Sequence, residues 1–267
     1  MGIRSSLIRL LLSPNRKVTA ASSKDELLAF IKLLRPESTG IELIRVGGNG
    51  DGGYLVPDDF EGLKFCFSPG VSEIATFEDQ VAADYSMRSF MADASVEKPP
   101  IENDYFEFQK KFLGTVDAGE FMRLETWVAS KADQIRDFDL LLQMDIEGAE
   151  YGVLIDTSVE TLKRFRVMVI EFHNIEMIAN RSALELLRPV FEKIKNEFVV
   201  VHLHPNNYKS PVESHGIKIP RALEVTFLRK DRIRSHEKVD LKFPHPLDQP
   251  NLVNGLVAEL PEIWYRQ

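Results

Sequence analysis

The stretch Leu140-Leu-Leu-Gln-Met-Asp145-Ile-Glu-Gly-Ala-Glu150 decides the fold. An apolar run that ends abruptly in three acids around one glycine has the pattern of a buried strand emerging at the edge of a parallel sheet. The carboxyl ends of such strands are where α/β folds place their ligands. Three carboxylates there cost desolvation energy unless something cationic or hydrogen-bonding meets them. The segment therefore predicts the wall of a site rather than a connecting loop.

Working outward, strand and helix patterns alternate from about residue 62. Residues 63–67 predict a first buried strand, ending at Ser68-Pro-Gly70. Thr76 is placed to cap a helix in which Phe77, Val81, Ala82 and Tyr85 form one apolar face. Residues 86–91 predict a second strand, followed at once by Asp93, and residues 105–112 a weaker third. Thr126 is placed to cap a helix running through Lys131. Residues 138–144 form the fourth strand, 166–172 the fifth, 198–203 the sixth and 222–228 the seventh, with a helix over about 182–195. Strands alternating with helices predict an α/β, Rossmann-like, mostly parallel sheet. Strands six and seven are joined by a Pro/Asn/Gly-bearing loop without a helical pattern, which suits an antiparallel pair at the C-terminal end.

The flanks read differently. Ser23-Lys-Asp-Glu26 has the form of a capping box, with Leu27, Leu28, Ile31 and Leu34 following at helical spacing. Residues 41–46 predict a strand, followed by Gly47-Gly-Asn-Gly-Asp-Gly-Gly53 and a short strand at residues 54–56. Three parts are expected: an N-terminal helical arm over 1–40, a main domain over 41–234 that includes a glycine-rich lid at 47–54, and an irregular tail over 235–267 bearing Pro244, Pro246, Pro250 and Pro261.

Composition narrows the class. A chain of 267 residues with 44% hydrophobic and 28% charged residues suits one soluble globular domain with additions. A formal net charge of -8 argues against nucleic acid as the main partner. The single cysteine, Cys66, lies in the apolar run Phe65-Cys-Phe67 and reads as a buried small hydrophobe, which leaves no disulfide framework. No apolar run reaches the length of a transmembrane helix. The segment Leu7-Ile-Arg-Leu-Leu-Leu12 is short, interrupted by Arg9 and without a small-residue cleavage site, so a cytoplasmic protein is expected.

Four turns carry candidate chemistry. In Ser68-Pro-Gly-Val-Ser72, glycine lets backbone approach a ligand and the following helix start favours negative charge; a tight turn needing glycine for geometry alone is the alternative. Glu78 in the first turn of that helix reads first as a dipole-favouring acid. Asp93 suits the two hydroxyls of a ribose, against the alternative of a solvated loop acid. Gly70 and Asp93 stand about 23 residues apart, the separation expected for a nucleotide-like ligand. The full G-x-G-x-x-G fingerprint is absent, which favours a nucleoside without pyrophosphate. Asp145 ends the fourth strand, and a helix over 147–154 would set Glu147 and Glu150 side by side. These acids suit a cationic cofactor, a substrate hydroxyl or a hard divalent ion. His173 ends the fifth strand in Glu171-Phe-His173 and is a candidate general base. His202 and His204 alternate on the sixth strand without a second cysteine or tight histidine pair to complete a zinc pattern, and read as structural or substrate-lining. The glycine run lacks the lysine and Ser/Thr of a P-loop; it reads as a lid with Asp51 or Tyr54 reaching inward, or as a hairpin using glycine for positive φ.

Asp51-Gly-Gly-Tyr-Leu-Val-Pro57, Phe67-Ser-Pro-Gly-Val-Ser72 with Phe77-Glu78, Met144-Asp-Ile-Glu-Gly-Ala-Glu150 and Glu171-Phe-His173 together resemble the FkbM family of S-adenosylmethionine-dependent methyltransferases, over about residues 44–230. The resemblance implies a seven-stranded class I methyltransferase fold and methylation of a hydroxyl on a sugar, glycan or glycosylated small molecule. It places Ser68, Gly70 and Val71 at the methionine part of S-adenosyl-L-methionine, with Glu78 in the same set, Asp93 at the ribose and residues 112–114 beside adenine. Asp145 would lie near the sulfonium. His173 is the first choice for the base and Asp145 the second. Competing readings are a magnesium-assisted enzyme using Asp145 and Glu147, and a non-catalytic Rossmann-like binding module. The acceptor and the oligomeric state are not encoded legibly.

Overall fold

A computed structural model describes residues 20–237, 241–256 and 259–266. Residues 1–19 of the expected N-terminal arm, Leu7 to Leu12 among them, lie outside the described residues. The chain begins with α1 (Lys24–Leu33), then the strands β1 (Leu43–Val46) and β2 (Tyr54–Pro57). There follow β3 (Phe65–Pro69), α2 (Thr76–Tyr85), β4 (Arg88–Ala92), β5 (Phe106–Gln109), β6 (Phe112–Gly114), β7 (Phe121–Arg123), α3 (Leu124–Ser130) and α4 (Ala132–Ile135). The second half holds β8 (Leu140–Met144), α5 (Glu150–Asp156), α6 (Val159–Leu162), β9 (Phe165–His173), α7 (Arg181–Glu197), β10 (Phe198–Pro205), β11 (Val212–Ser214), β12 (Ile217–Ile219) and β13 (Ala222–Arg229).

Seven strands form the main sheet in the order β10-β13-β9-β8-β3-β4-β5. The strands β3, β4, β5, β8 and β9 pair in parallel, while β13 runs antiparallel to both β9 and β10. This is the Rossmann-like α/β fold expected from the sequence, including the antiparallel strand near its C-terminal end. Runs such as Leu140–Met144, buried at every position, are what a strand covered on both faces requires. The strand order reverses at β3, which has β4 on one side and β8 on the other, and that reversal opens a crevice beyond their carboxyl ends.

Two apolar layers sandwich the sheet. On one face Phe67, Phe90, Trp127, Leu142, Phe165 and Phe172 pack with the helices α1, α3, α5 and α7. The capping box of α1 is formed: Glu26 N donates to Ser23 Oγ at 3.2 Å, and Ser23 N donates to Glu26 Oε2 at 2.7 Å. On the other face, Tyr54, Val56, Phe77 and Val81 pack on Cys66, Leu141, Val167 and Val169. The antiparallel β1–β2 ribbon therefore lies flat on the sheet together with α2, and a buried bond from Thr226 Oγ1 to Leu55 O, 2.7 Å, pins it there.

Several local expectations are corrected. Thr126 does not cap a helix: α3 starts at Leu124 after Arg123, and the Thr126 hydroxyl donates to Asp117 Oδ2 at 2.7 Å. Thr76 is the first residue of α2 rather than its cap, and its hydroxyl accepts from Gly48 N at 3.2 Å, tying down the glycine run. The weak third strand divides into β5 and β6, and β6 pairs with β7 outside the main sheet. The helix expected over 147–154 begins only at Glu150, because Glu147 and Gly148 both take positive φ, 56° and 107°.

Gly70 carries the tightest constraint. Its φ is +91°, and a Cβ there would stand 1.5 Å from the carbonyl oxygen of Asp145. Gly119 has φ +58° but open space around it. Gly119→Ala should therefore cost only about 1–2 kcal/mol, the strain of a left-handed L-residue. Gly70→Ala must also push apart the ends of β3 and β8. Urea unfolding of the two variants should rank Gly70→Ala clearly lower, and equal losses would contradict this account of the turn.

Candidate active site

The crevice begins with the end of β3. Ser68 is fully buried; its Oγ meets the Glu78 carboxyl and lies 2.7 Å from Gln143 Oε1. Gln143 Nε2 in turn donates to the Tyr54 hydroxyl at 3.3 Å, which links the ribbon to the sheet floor. Burial pushes the Glu78 carboxyl up to about 6, although the Ser68 bond pulls the other way. Glu78 is thus no solvated helix-start acid: it is 3% exposed and faces a cavity.

Two cavities meet over the switch point. One, of about 280 Å³, is lined by Asp51, Gly52 and Tyr54 of the ribbon, Gly70 and Val71 after β3, Thr76 and Glu78 of α2, and Gln143, Asp145 and Glu147. The other, of about 260 Å³, is lined by Asp93 and Ser95 after β4, by Phe112, Leu113, Phe121 and Ile146, and again by Gly70, Ser72, Asp145 and Glu147. Phe112 and Leu113 thus border this space, whereas Gly114 does not line it. The shared residues make the two cavities neighbours across the Gly70–Asp145 contact. The glycine run is held by Arg45, which donates to Gly48 O and Gly50 O at 3.0 Å each, so Asp51 is presented from a tied loop.

Asp93 fastens its surroundings. Its Oδ2 accepts from Ser72 N at 2.9 Å, and its Oδ1 accepts from Ser95 N at 2.7 Å and Ser95 Oγ at 2.6 Å. The β3 turn and the β4 turn are thereby joined through one carboxylate. Oδ2, which accepts one bond, keeps acceptor capacity.

Around His173 the acids crowd together. Its Nδ1 lies 3.1 Å from Glu150 Oε1, and its Nε2 lies 3.5 Å from Glu147 and 3.8 Å from both Asp145 and Glu171. Glu150, fully buried, also accepts from Ile146 N at 3.3 Å and Gly148 N at 3.0 Å, so it holds the turn and the imidazole together. The backbone is fixed as well, because the Tyr151 hydroxyl donates to His173 O at 2.8 Å. Burial works against the His173 cation, but the Glu150 bond and the charges of Glu171, Asp145 and Glu150 outweigh it and raise its pKa to about 9. Burial pushes Asp145 up to about 7; the His173 charge opposes this, and Glu147, Glu150 and Asp51 add to it. Asp145 Oδ1 is buried and has no hydrogen-bond partner.

The structure thus brings Ser68, Gly70, Val71, Glu78, Asp93, Asp145 and His173 to one end of the sheet, with Glu147 and Glu150 beside them. Ser68 and His173 line neither cavity and meet the cavity walls through Glu78 and Gln143 and through Asp145 and Glu147; His202 and His204 line neither as well. Phe121, Ser95 and the Tyr54–Gln143 link belong to no motif in the sequence. A polar Gln143 inside an otherwise apolar strand was the one legible signal among them.

Comparison with known proteins agrees with part of this chain. A family model described as Methyltransferase FkbM domain matches residues 120–209. No curated protein matches. Among solved structures, a precorrin-6y C5,15-methyltransferase from Geobacter metallireducens GS-15 aligns over 79% of this chain and 95% of its own at 11% identity, with a TM-score of 0.30, too weak a likeness to argue from. The Asp145 turn and the Glu171-Phe-His173 strand end fall inside the matched segment, and the Gly70 turn and the glycine run precede it. Over residues 120–209 the chain is similar to the methyltransferase FkbM domain.

Proposed function

We propose that the crevice binds S-adenosylmethionine and that the enzyme methylates a hydroxyl of a sugar, glycan or glycosylated small molecule. The observation that carries this reading is the meeting of two unlike cavities at Gly70 and Asp145. The cavity walled by Phe112, Phe121 and Ile146 suits a nucleoside base, with Asp93 beside it for the ribose hydroxyls. The polar cavity suits an amino-acid end: the first turn of α2 offers backbone N–H groups to a carboxylate, and Glu78 accepts from an ammonium. Asp145, between them and without a hydrogen bond at Oδ1, fits a neighbouring positive charge. When bound, the cofactor supplies an electrophilic methyl group on a sulfonium.

The chain's own residues then align the acceptor and take its proton. A base must be unprotonated, and a histidine whose pKa is raised well above neutral holds its proton at pH 7. Asp145 is therefore the better placed acceptor, basic for a carboxylate yet ionised once a cation stands beside it. His173 acts through it: its positive charge keeps Asp145 ionised, and Glu150 keeps His173 in place. A second reading is a divalent ion at this point, favoured because ligand atoms of Asp145, Glu147 and His173 lie within 4.8 Å of one another.

Transfer of labelled methyl from the cofactor to a glycan extract tests the activity, and absence of transfer would favour a binding module. Chelator should leave the rate unchanged; its loss, restored by magnesium, would select the metal-assisted version. Asp93→Ala should weaken cofactor binding by about tenfold or more, the value of a charge-assisted hydrogen bond, while Asp145→Asn should lower kcat by about 10²–10⁴-fold with a smaller effect on affinity. Removing the His173 cation raises the pKa of Asp145, so His173→Ala should move the acid limb of the kcat–pH profile to higher pH. Loss of turnover at every pH would return the role of base to His173.

A further inference from the structure

A second cluster stands near the edge of the same sheet, apart from the crevice. His202 and His204 leave β10 on one face because they stand two residues apart on a strand, and an irregularity between Val200 and His202 sets them opposite Thr226 and Glu224 of β13. Asp248 arrives from the C-terminal segment in a self-braced turn: its N donates to His245 O at 2.9 Å, and His245 N donates to its Oδ2 at 2.7 Å. The other oxygen, Oδ1, lies 2.8 Å from His202 Nε2 and 3.4 Å from His204 Nδ1. The three side chains are only 4%, 14% and 7% exposed, and their ligand atoms fall within 4.8 Å of one another.

We propose that His202, His204 and Asp248 form a metal site for a borderline divalent transition ion, zinc by preference, which clasps the C-terminal segment to β10. Two imidazole nitrogens and one carboxylate oxygen select such an ion over magnesium or calcium, which take oxygen ligands. Donors about 2.0–2.1 Å from a tetrahedral ion stand roughly 3.4 Å apart, so the spacing here needs side-chain adjustment rather than backbone movement. Three protein ligands leave one position for water. A ligating imidazole usually gives its remaining N–H to an acceptor. His204 Nε2 is buried without a hydrogen bond, and an acceptor stands nearby in Glu224, the cross-strand neighbour of His204, whose Oε1 accepts from Asn251 Nδ2 at 2.6 Å.

The clasp reaches the crevice wall. The Pro250 and Asn251 carbonyls lie against Gly50, whose neighbours Asp51 and Gly52 line the polar cavity. Asn207 holds the same segment, donating to Leu252 O at 2.8 Å and Leu256 O at 3.1 Å.

The test uses the full chain, stripped with chelator and titrated with zinc, with stoichiometry read by elemental analysis and stability by thermal unfolding. One zinc per chain and a raised Tm are expected, together with the absorption of a nitrogen- and oxygen-ligated ion when cobalt replaces zinc. His204→Ala should lose at least about tenfold in zinc affinity and the zinc-dependent rise in Tm. Asp248→Asn, which keeps the shape of the turn, should do the same, so the test survives misfolding of the histidine variant. Asp145→Asn should bind zinc as the parent does. Absence of stoichiometric zinc would leave a hydrogen-bonded latch and overturn the proposal, as would zinc lost in Asp145→Asn but kept in Asp248→Asn.

Discussion

The close approach of two backbones at Gly70 fixes the geometry of everything around it. The chain leaving β3 crosses in front of the end of β8, and only a residue without a side chain passes the Asp145 carbonyl at that distance. The same crossing brings Gly70 N to Ala92 O, 2.9 Å away, and Asp145 N to Pro69 O, 3.2 Å away. Three strand ends are thus registered to one another by backbone geometry, before any side chain is chosen. The acids at the ends of β4 and β8, Asp93 and Asp145, line one cavity with Gly70.

Charge is the second constraint, and it follows from the first. Drawing the ends of β8 and β9 together puts Asp145, Glu147, Glu150 and Glu171 around one histidine. At 4 Å and an effective dielectric constant near 20, a unit charge interacts with another by about 4 kcal/mol, some three pKa units. That is enough to decide which group holds a proton: Glu150, Glu171 and Asp145 raise the pKa of His173 despite its burial, whereas burial and neighbouring acids raise Asp145 and Glu171 against the pull of the imidazole. The turn itself carries strain, with a glutamate at φ +56°, a conformation costing on the order of 1–3 kcal/mol. Glu150 compensates by gathering Ile146 N, Gly148 N and the imidazole onto one oxygen.

What was legible in the sequence is what local chemistry determines. Strands buried on both faces read as unbroken apolar runs, so β3, β4, β8, β9, β10 and β13 were visible to within a few residues. The capping box at Ser23 and Glu26 was visible because both partners lie within one turn. The failures come from partners far along the chain. Thr76 resembles a cap, but Gly48 takes its hydroxyl; Thr126 resembles a cap, but Asp117 takes its hydroxyl. Glu150 has the spacing of a helix-surface acid, and only the fold turns it inward onto His173. The alternating histidines of β10 are visible in the sequence, yet their third partner, Asp248, arrives from a proline-rich segment whose path no local pattern specifies.

The antiparallel β13 links these parts. It sets Glu224 opposite Glu171 on one side and opposite His204 on the other. The face of the sheet beneath the β1–β2 ribbon thereby carries polar groups near its carboxyl end, from Ser68 and Gln143 on β3 and β8, through Glu171 and Glu224, to His204 and Asp248. Most are buried, and apolar side chains of similar size would avoid their desolvation cost. Polar groups that persist where an apolar layer would be more stable mark the places where a sequence gives up stability for a site. On that reasoning the ribbon and the C-terminal segment are roofing rather than decoration. Each is tied to the polar layer by side-chain hydrogen bonds, Tyr54 to Gln143 and Asn251 to Glu224, and the two meet at Gly50. A displacement of either one is therefore felt at Asp51, on the wall of the crevice.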